Sequence, residues 1–144
     1  MADYTHVLVA TDLRNDYFPV VRKALELARR NKARLSVINV IPSVPYYMGS
    51  GIVNDIEETL EKQSQERLEQ VKKLVDVPAD YHVRHGSAKI EIVKLAEELN
   101  ADIIVIGRQD THRAVELIVG STAVGVLHRA KCDVLIVQTG KQNT

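Results

Sequence analysis

The residues of this chain best suited to chemistry form an incomplete phosphate-binding pattern in its last third. Gly107 follows an apolar run, and Gly120-Ser121-Thr122 precedes a stretch compatible with a helix. Glycines let backbone N–H groups approach an anion, hydroxyls donate hydrogen bonds to its oxygens, and a helix N-terminus supplies partial positive charge. Asp110 stands where a second glycine would line the same site, and its carboxylate would repel a phosphate. The pattern therefore predicts an anion site that is weakened at position 110.

Patterns that would indicate an enzyme are missing. The sequence has no Gly-Lys-Ser/Thr of a Walker-type P-loop and no Gly-x-Ser-x-Gly of a serine hydrolase, so no apparatus for fast ATP hydrolysis is visible. His82 and His85 are three apart on a predicted strand and point to opposite faces, which indicates no metal site. Cys132 is expected to pack rather than to act as a nucleophile. We therefore assign no catalytic residue and no metal ligand.

Composition excludes several classes of partner. The 144 residues fit one domain, 1–144, and 19 basic residues balance 19 acidic ones, so no global field attracts nucleic acid or an anionic membrane. No apolar stretch approaches the roughly 18 residues of a membrane helix, and the N-terminus lacks the pattern of a secretory signal. A single cysteine cannot form an internal disulfide. We predict a soluble cytoplasmic protein without nucleic-acid or membrane partners. The balanced charge is compatible with binding of a small ligand.

Five short β-branched runs alternate with helical patterns along the chain. Nearly continuous apolar strands are expected when helices cover both faces of a sheet, and alternation with helices implies parallel pairing. The predicted class is α/β, with an open five-stranded parallel sheet and helices on both faces. The strands are predicted over residues 6–10, 35–41, 81–84, 103–106 and 134–137.

The segments between the strands give further expectations about local structure. A charged amphipathic helix is predicted over residues 54–75. Asn31 and Asn100 each precede a strand directly, and both are predicted to take the left-handed conformation that closes a helix. Residues 42–51, with two prolines and two glycines, read as a mobile loop over the site, either a lid or a simple connection.

Two β-α-β halves place a ligand beyond the carboxyl ends of the strands, where the strand order reverses. The first strand ends at Ala10-Thr11-Asp12, the second near Val40 and the fourth at Gly107. These residues are expected to converge with Gly120, Ser121 and Thr122. A simpler alternative is that Asp12 satisfies loop N–H groups, that Gly107 permits a tight turn, and that a hydroxyl caps a helix.

The chain resembles the universal stress proteins, and is similar to their small single-domain UspA type. The resemblance covers nearly the whole chain and implies a Rossmann-like fold of the adenine nucleotide alpha hydrolase-like class. The matching segments are Ala10-Thr11-Asp12-Leu13, Asn39-Val40, His85-Gly86-Ser87-Ala88, residues 101–107, Gly120-Ser121-Thr122 and residues 127–137.

The resemblance also implies a ligand, an adenine nucleotide such as ATP or AMP with Mg²⁺. Asp12 would lie near the ribose and Val40 against the adenine. The residues implied around the phosphates are Gly107, Gly120, Ser121 and Thr122.

Members of this family that bind ATP have two glycines three residues apart, then nine residues before Gly-Ser/Thr. Here Gly107, Asp110 and Gly120 keep that spacing, with the second glycine replaced. Two hypotheses follow. Either the chain is a stress-response homodimer that acts by binding or regulation with a degenerate nucleotide site, or it is a working ATP- or AMP-binding member with slow or no hydrolysis.

The last predicted strand is expected to form a dimer. Its apolar run at a sheet edge has few charges to prevent pairing with another chain, and the family resemblance implies the same strand. The predicted interface residues are Val134, Leu135, Ile136 and Val137.

Overall fold

The alternating apolar runs and helical patterns give five strands and four α-helices in the computed structural model, which describes residues 4–12, 17–108 and 120–138. The strands are β1 His6–Thr11, β2 Arg34–Ile41, β3 Asp80–His85, β4 Ile103–Gly107 and β5 Asp133–Val137. The helices are α1 Phe18–Asn31, α2 Ser50–Leu74, α3 Ala88–Leu99 and α4 Ser121–Arg129, with a short 3-10 helix at Tyr46–Met48. Every predicted strand is present, and each is one or two residues longer than the sequence suggested.

The sheet is parallel throughout, and its strand order is β3-β2-β1-β4-β5. The chain proceeds from β1 outward to β3 and then returns to the other side of β1 with β4. The strand order therefore reverses between β1 and β4. This topology confirms the predicted α/β class and the open five-stranded parallel sheet.

Side chains alternate between the two faces of the sheet and build two cores. On one face, Val7 and Val9 of β1 pack with apolar residues of α1 and with Leu68 and Val71 of α2. On the other face, Leu8 packs with apolar residues of α3 and α4. Helices thus cover both faces, as the nearly continuous apolar character of the strands predicted.

The two corners that lead from a helix into a strand are closed by different residues. Asn100 has φ 55° and closes α3 in the left-handed conformation, as predicted. The prediction for Asn31 is wrong, because the left-handed residue after α1 is Lys32, at φ 56°. The carboxamide of Asn31 donates a hydrogen bond to the Leu27 carbonyl at 2.9 Å and accepts one from the Tyr4 N–H at 3.3 Å. Asn31 therefore remains the last helical residue.

Much of the predicted loop at residues 42–51 is helical. The 3-10 helix Tyr46–Met48 is followed by Gly49 at φ 96°, and α2 begins at Ser50, four residues earlier than the predicted start at residue 54. Glycine adopts positive φ at little cost, so Gly49 lets the chain turn from one helix into the next. The connection from β2 to α2 is therefore shorter than its composition suggested.

Candidate functional site

The carboxyl edge of the sheet brings together the ends of β1, β2 and β4. β1 ends at Thr11, and the exposed Asp12 follows at once. Val40 is the penultimate residue of β2, and Gly107 is the last residue of β4. Extended by two residues, the parallel register between β1 and β4 places Thr11 level with Gly107. The strand-end residues that the sequence predicted to converge therefore lie on adjacent strands at one edge.

Ala10 and Val40 face the α3 and α4 side of the sheet at this edge. Ala10 is buried in the core on that side, and the half-buried Val40 packs against the same core. Both side chains therefore contribute to packing. Any contact of Val40 with a ligand would use its exposed portion or its backbone.

The start of α4 supplies hydrogen-bond donors to the same edge. A helix that follows a parallel strand runs back across the sheet, so its N-terminus lies at the carboxyl edge. Gly120 is the N-cap residue, and its carbonyl accepts a hydrogen bond from the Val124 N–H at 3.1 Å. Because glycine has no side chain, it cannot satisfy the N–H groups of the first turn. Ser121, exposed, and Thr122, half-buried, lie within that turn and neither is the N-cap residue.

The segment between β4 and α4 is described only at its ends. Asp110, which was predicted to weaken the anion site, lies outside the described residues. At the β4 end, the Arg108 N–H donates to the Val137 carbonyl at 2.9 Å. The Arg108 guanidinium donates to the side-chain oxygen of Gln138. A cationic side chain is thus held beside Gly107 by the end of β5.

Three buried polar side chains join β1, β2 and α2 just beneath the edge. The side-chain nitrogen of Asn39, Nδ2, lies 3.1 Å from the Thr11 backbone carbonyl oxygen and 3.2 Å from the Thr11 hydroxyl oxygen, and it donates to both. The side-chain oxygen of Asn39, Oδ1, accepts a hydrogen bond of 2.6 Å from the Ser64 hydroxyl. The Thr11 hydroxyl in turn donates to the Ile38 backbone carbonyl oxygen, 3.5 Å away. All three residues are buried.

Sequence reasoning missed the roles of Asn39 and Ser64. A signal was present, because Ser64 falls at helical spacing between Leu60 and Leu68 on the apolar face of α2. A small polar residue in such a stripe needs a polar partner in the core. The partner is Asn39 of β2, and this pairing becomes evident only from the structure, where α2 packs over that face of the sheet.

The model of the universal stress protein family matches residues 3–138. The chain belongs to this family. The match confirms the resemblance drawn from the motifs at β1, β4 and α4, and with the strand order above it establishes a Rossmann-like fold.

Relatives and solved structures of the family align over nearly the whole chain. Universal stress protein A homolog 1 of Coxiella burnetii is 36% identical over 139 residues, covering 93% of this chain and 96% of that protein. A universal stress protein of Archaeoglobus fulgidus, solved in complex with dAMP, is 25% identical with a TM-score of 0.66, covering 93% of this chain and 98% of that one. Another universal stress protein, in complex with cAMP, is 23% identical with a TM-score of 0.71, covering 96% and 100%.

A cavity of about 340 Å³ in this universal stress protein lies at the opposite, amino-terminal edge of the sheet. It is lined by Val93, Ala96, Glu97, Asn100, Ala101, Ile104, Ala130, Lys131 and Cys132. Burial first, and then the nearby carboxylates of Asp133, Asp102 and Glu97, raise the pKa of the Cys132 thiol. The thiolate is therefore disfavoured, in keeping with the predicted packing role.

Metal clusters and membrane-spanning helices are both absent from the part of the chain that the structure describes. Among residues 4–12, 17–108 and 120–138, no group of three or more His, Cys, Asp or Glu side chains is arranged to hold a metal ion. Within those same ranges, no helix combines the length and the apolar character needed to cross a membrane.

Proposed function

We propose that this universal stress protein binds an adenine nucleotide, ATP or AMP, at the carboxyl edge of its sheet and acts in the stress response by binding rather than by turnover. It does so in the cytoplasm as a homodimer that pairs through β5. The observation that carries the proposal is that Asp12, Val40 and Gly107 lie at the ends of adjacent parallel strands, where the strand order reverses, and that α4 begins with a glycine N-cap.

Each part of a nucleotide would have a suitable neighbour at this edge. The carboxylate of the exposed Asp12 would accept hydrogen bonds from ribose hydroxyls, and the exposed part of Val40 would give an apolar contact to adenine. Phosphates would approach the N–H groups of the first turn of α4 and the hydroxyls of Ser121 and Thr122. Mg²⁺ would bind together with ATP, coordinated by its phosphates.

The comparisons support an adenine nucleotide over other anions. One related structure is a complex with dAMP, and another is a complex with cAMP. Both ligands combine adenine with a single phosphate. In this chain the carboxylate of Asp110 would oppose every added phosphate charge, so AMP is expected to bind at least as tightly as ATP.

The proposal is tested by identifying what the protein binds. The purified protein would be denatured, and mass spectrometry of the supernatant would identify any released nucleotide. Calorimetric titrations with AMP, ATP with and without Mg²⁺, and GMP as a base control would follow. We expect AMP to bind at least tenfold more tightly than GMP. An absence of released nucleotide together with no heat of binding for any adenine nucleotide would refute the proposal.

Homodimerisation through β5 is proposed from the exposure of this edge strand. β5 pairs with β4, and within the described ranges its other edge has no strand beside it. Val134, Leu135, Ile136 and Val137 are all only half-buried in the single chain. Unpaired N–H and C=O groups along such an apolar edge favour pairing with a second copy.

A further inference from the structure

The polar contact among Thr11, Asn39 and Ser64 joins three elements at a single point of the sheet. Asn39 is 0% exposed and Ser64 is 1% exposed. The side-chain nitrogen of Asn39 donates to two acceptors on Thr11, and the side-chain oxygen of Asn39 accepts from the Ser64 hydroxyl. The carboxamide of Asn39 is therefore held by three contacts and cannot rotate without breaking at least one of them.

These contacts act directly on the backbone of the candidate site. The Thr11 carbonyl belongs to the same rigid peptide plane as the Asp12 N–H. A hydrogen bond from Asn39 to that carbonyl therefore fixes the direction in which Asp12 leaves β1. Val40 follows Asn39 in β2, so the same residue anchors the second strand end of the site.

We propose that Asn39, oriented by Ser64, is a positioning residue for nucleotide binding, because it fixes the peptide plane before Asp12 and the distance from Asp12 to Val40. This inference rests on the proposed function. The hydrogen bond from Ser64 to Asn39 makes α2 part of the site, although α2 contributes none of the residues proposed to contact the ligand. A shift of α2 would be transmitted to Asp12 through Asn39.

A purely packing role does not explain the choice of these side chains. Apolar residues fill neighbouring positions of the same core, such as Val9, Val37 and Leu68. Replacing both partners of a buried hydrogen bond by apolar groups of similar shape can be nearly neutral for stability, so stability alone does not require polar side chains here. A fully satisfied polar contact instead defines one orientation of the groups that it joins.

The other end of β2 provides a matched control. Ser36 is also 0% exposed, and its hydroxyl oxygen lies 2.8 Å from Nε2 of His6. Ser36→Ala and Ser64→Ala each delete one buried hydroxyl from one hydrogen bond. Ser36 lies near the start of β2, away from the carboxyl edge. A general loss of stability would affect both variants, whereas a positioning effect would appear only in Ser64→Ala.

The first measurement is AMP binding by calorimetry, with unfolding followed by circular dichroism. We expect Ser64→Ala to weaken AMP binding at least fivefold and Ser36→Ala to change it less than twofold, although both unfold at lower temperature than the parent. Thr11→Val, which retains the carbonyl but removes the hydroxyl, should weaken binding less than Ser64→Ala. Equal AMP affinity in Ser64→Ala and Ser36→Ala would overturn the inference while leaving the proposed function intact.

The second measurement needs no ligand. In ¹⁵N-labelled protein, the amide signals of Asp12 and Val40 should shift or broaden by exchange in Ser64→Ala and remain at the parent positions in Ser36→Ala. If the parent chain binds no adenine nucleotide, the proposed function fails, and these signals alone decide whether Ser64 positions the strand ends. Unchanged Asp12 and Val40 signals in Ser64→Ala would overturn the inference in either case.

Discussion

Asp102, the residue before β4, binds Thr5, the residue before β1. Its Oδ2 accepts hydrogen bonds from both the backbone N–H and the hydroxyl of Thr5, each at 2.9 Å. Its other oxygen accepts the His6 N–H at 3.0 Å, and its own N–H donates to the His6 carbonyl at 3.0 Å. Burial raises the pKa of the Asp102 carboxyl, but the hydrogen bonds from Thr5 and His6 outweigh burial and hold the pKa below its usual value of 3.8. The ionised carboxylate thus joins the starts of the neighbouring strands β1 and β4.

Asp102→Asn should destabilise the fold. The variant loses the charge and presents N–H donors where acceptors are needed, so we expect a loss of about 1–2 kcal/mol at pH 7, after allowance for partial exposure. The lowered pKa gives the parent a stability contribution that is complete above pH 3.8 and is lost as the pH falls below that value. The difference between parent and variant should therefore shrink in acid.

Urea unfolding at pH 7, 5 and 3.5 measures this difference. Asp133→Asn is the control, because the Asp133 carboxylate accepts a hydrogen bond of 2.8 Å from the Tyr4 hydroxyl in an exposed setting. Asp133→Asn should change the free energy of unfolding by less than about 0.5 kcal/mol. An Asp102→Asn variant as stable as the parent at pH 7 would contradict the role given to Asp102.

His6 should make the protein less stable in mildly acidic solution. Its Nδ1 lies 3.2 Å from the Leu99 carbonyl oxygen, which can only accept, so Nδ1 is the donor and Nε2 accepts from Ser36 in the neutral ring. Burial, and then the charge of Arg34, lower the pKa of His6 from 6.5. The Leu99 carbonyl and the carboxylates of Asp102 and Asp80 raise the pKa of His6, but their effects are smaller and the pKa remains lowered.

A lowered pKa means that the unfolded chain binds a proton more readily than the folded chain. The His6 contribution is therefore complete above pH 6.5 and is lost as the pH falls from 6.5 towards the folded pKa, with a slope of at most about 1.4 kcal/mol per pH unit. His6→Gln, which is neutral, should show a flatter profile between pH 7 and 5. Denaturant unfolding across that range provides the comparison, and parallel profiles for the two proteins would exclude this role of His6.

The strands were predictable because their apolar character is a local property. Each run of β-branched residues is bounded by polar or turn residues, and the structure extended each prediction by only one or two residues. The closing residue of α1 was not predictable from composition. Asn31 suits a left-handed position, but its hydrogen bonds to Leu27 and Tyr4 leave that position to Lys32.

The positions of the strand-end residues of the proposed site were predictable from the sequence, but the contacts beneath them were not. Topology alone places Thr11, Asp12 and Gly107 at one edge, since parallel strands end together. The contact between Asn39 and Ser64 joins residues 25 apart in the chain. It depends on how α2 lies on the sheet, which the helical pattern of α2 does not determine.

Gly120→Val should abolish nucleotide binding without unfolding the protein. A side chain at the N-cap of α4 would stand where a phosphate approaches the first-turn N–H groups, so we expect at least a tenfold loss of affinity for AMP. Gly51→Val is a matched control, because Gly51 lies at the start of α2 with nothing within 4 Å of an added Cβ. Titration with a fluorescent ATP analogue and circular dichroism test both variants. Unchanged affinity in a folded Gly120→Val variant would place the ligand elsewhere.

Asp110→Gly should raise the affinity for ATP by at least tenfold. A unit charge about 4–6 Å from a phosphate oxygen costs roughly 2–4 kcal/mol at an effective dielectric of 20. Asp110→Asn removes the charge but retains the side chain, so it separates repulsion from backbone access. We expect Asp110→Asn to recover most of the gain, and calorimetry on the three proteins decides. If the parent already binds ATP at low micromolar affinity and neither variant is better, position 110 does not weaken the site.

The two edge strands allow the dimer to be tested with an internal control. Leu135→Lys or Ile136→Lys in β5 would place a charge in the proposed interface, and β3, the opposite edge strand, offers the exposed Val83 for Val83→Lys. We expect the β5 variants to raise the dimer dissociation constant at least 30-fold, about 2 kcal/mol, and Val83→Lys to leave it within threefold. Light scattering at micromolar concentration reports the mass, and circular dichroism confirms that each variant is folded. A monomeric parent, or a Val83→Lys variant that dissociates as readily as the β5 variants, would show that the β5 edge is not the interface.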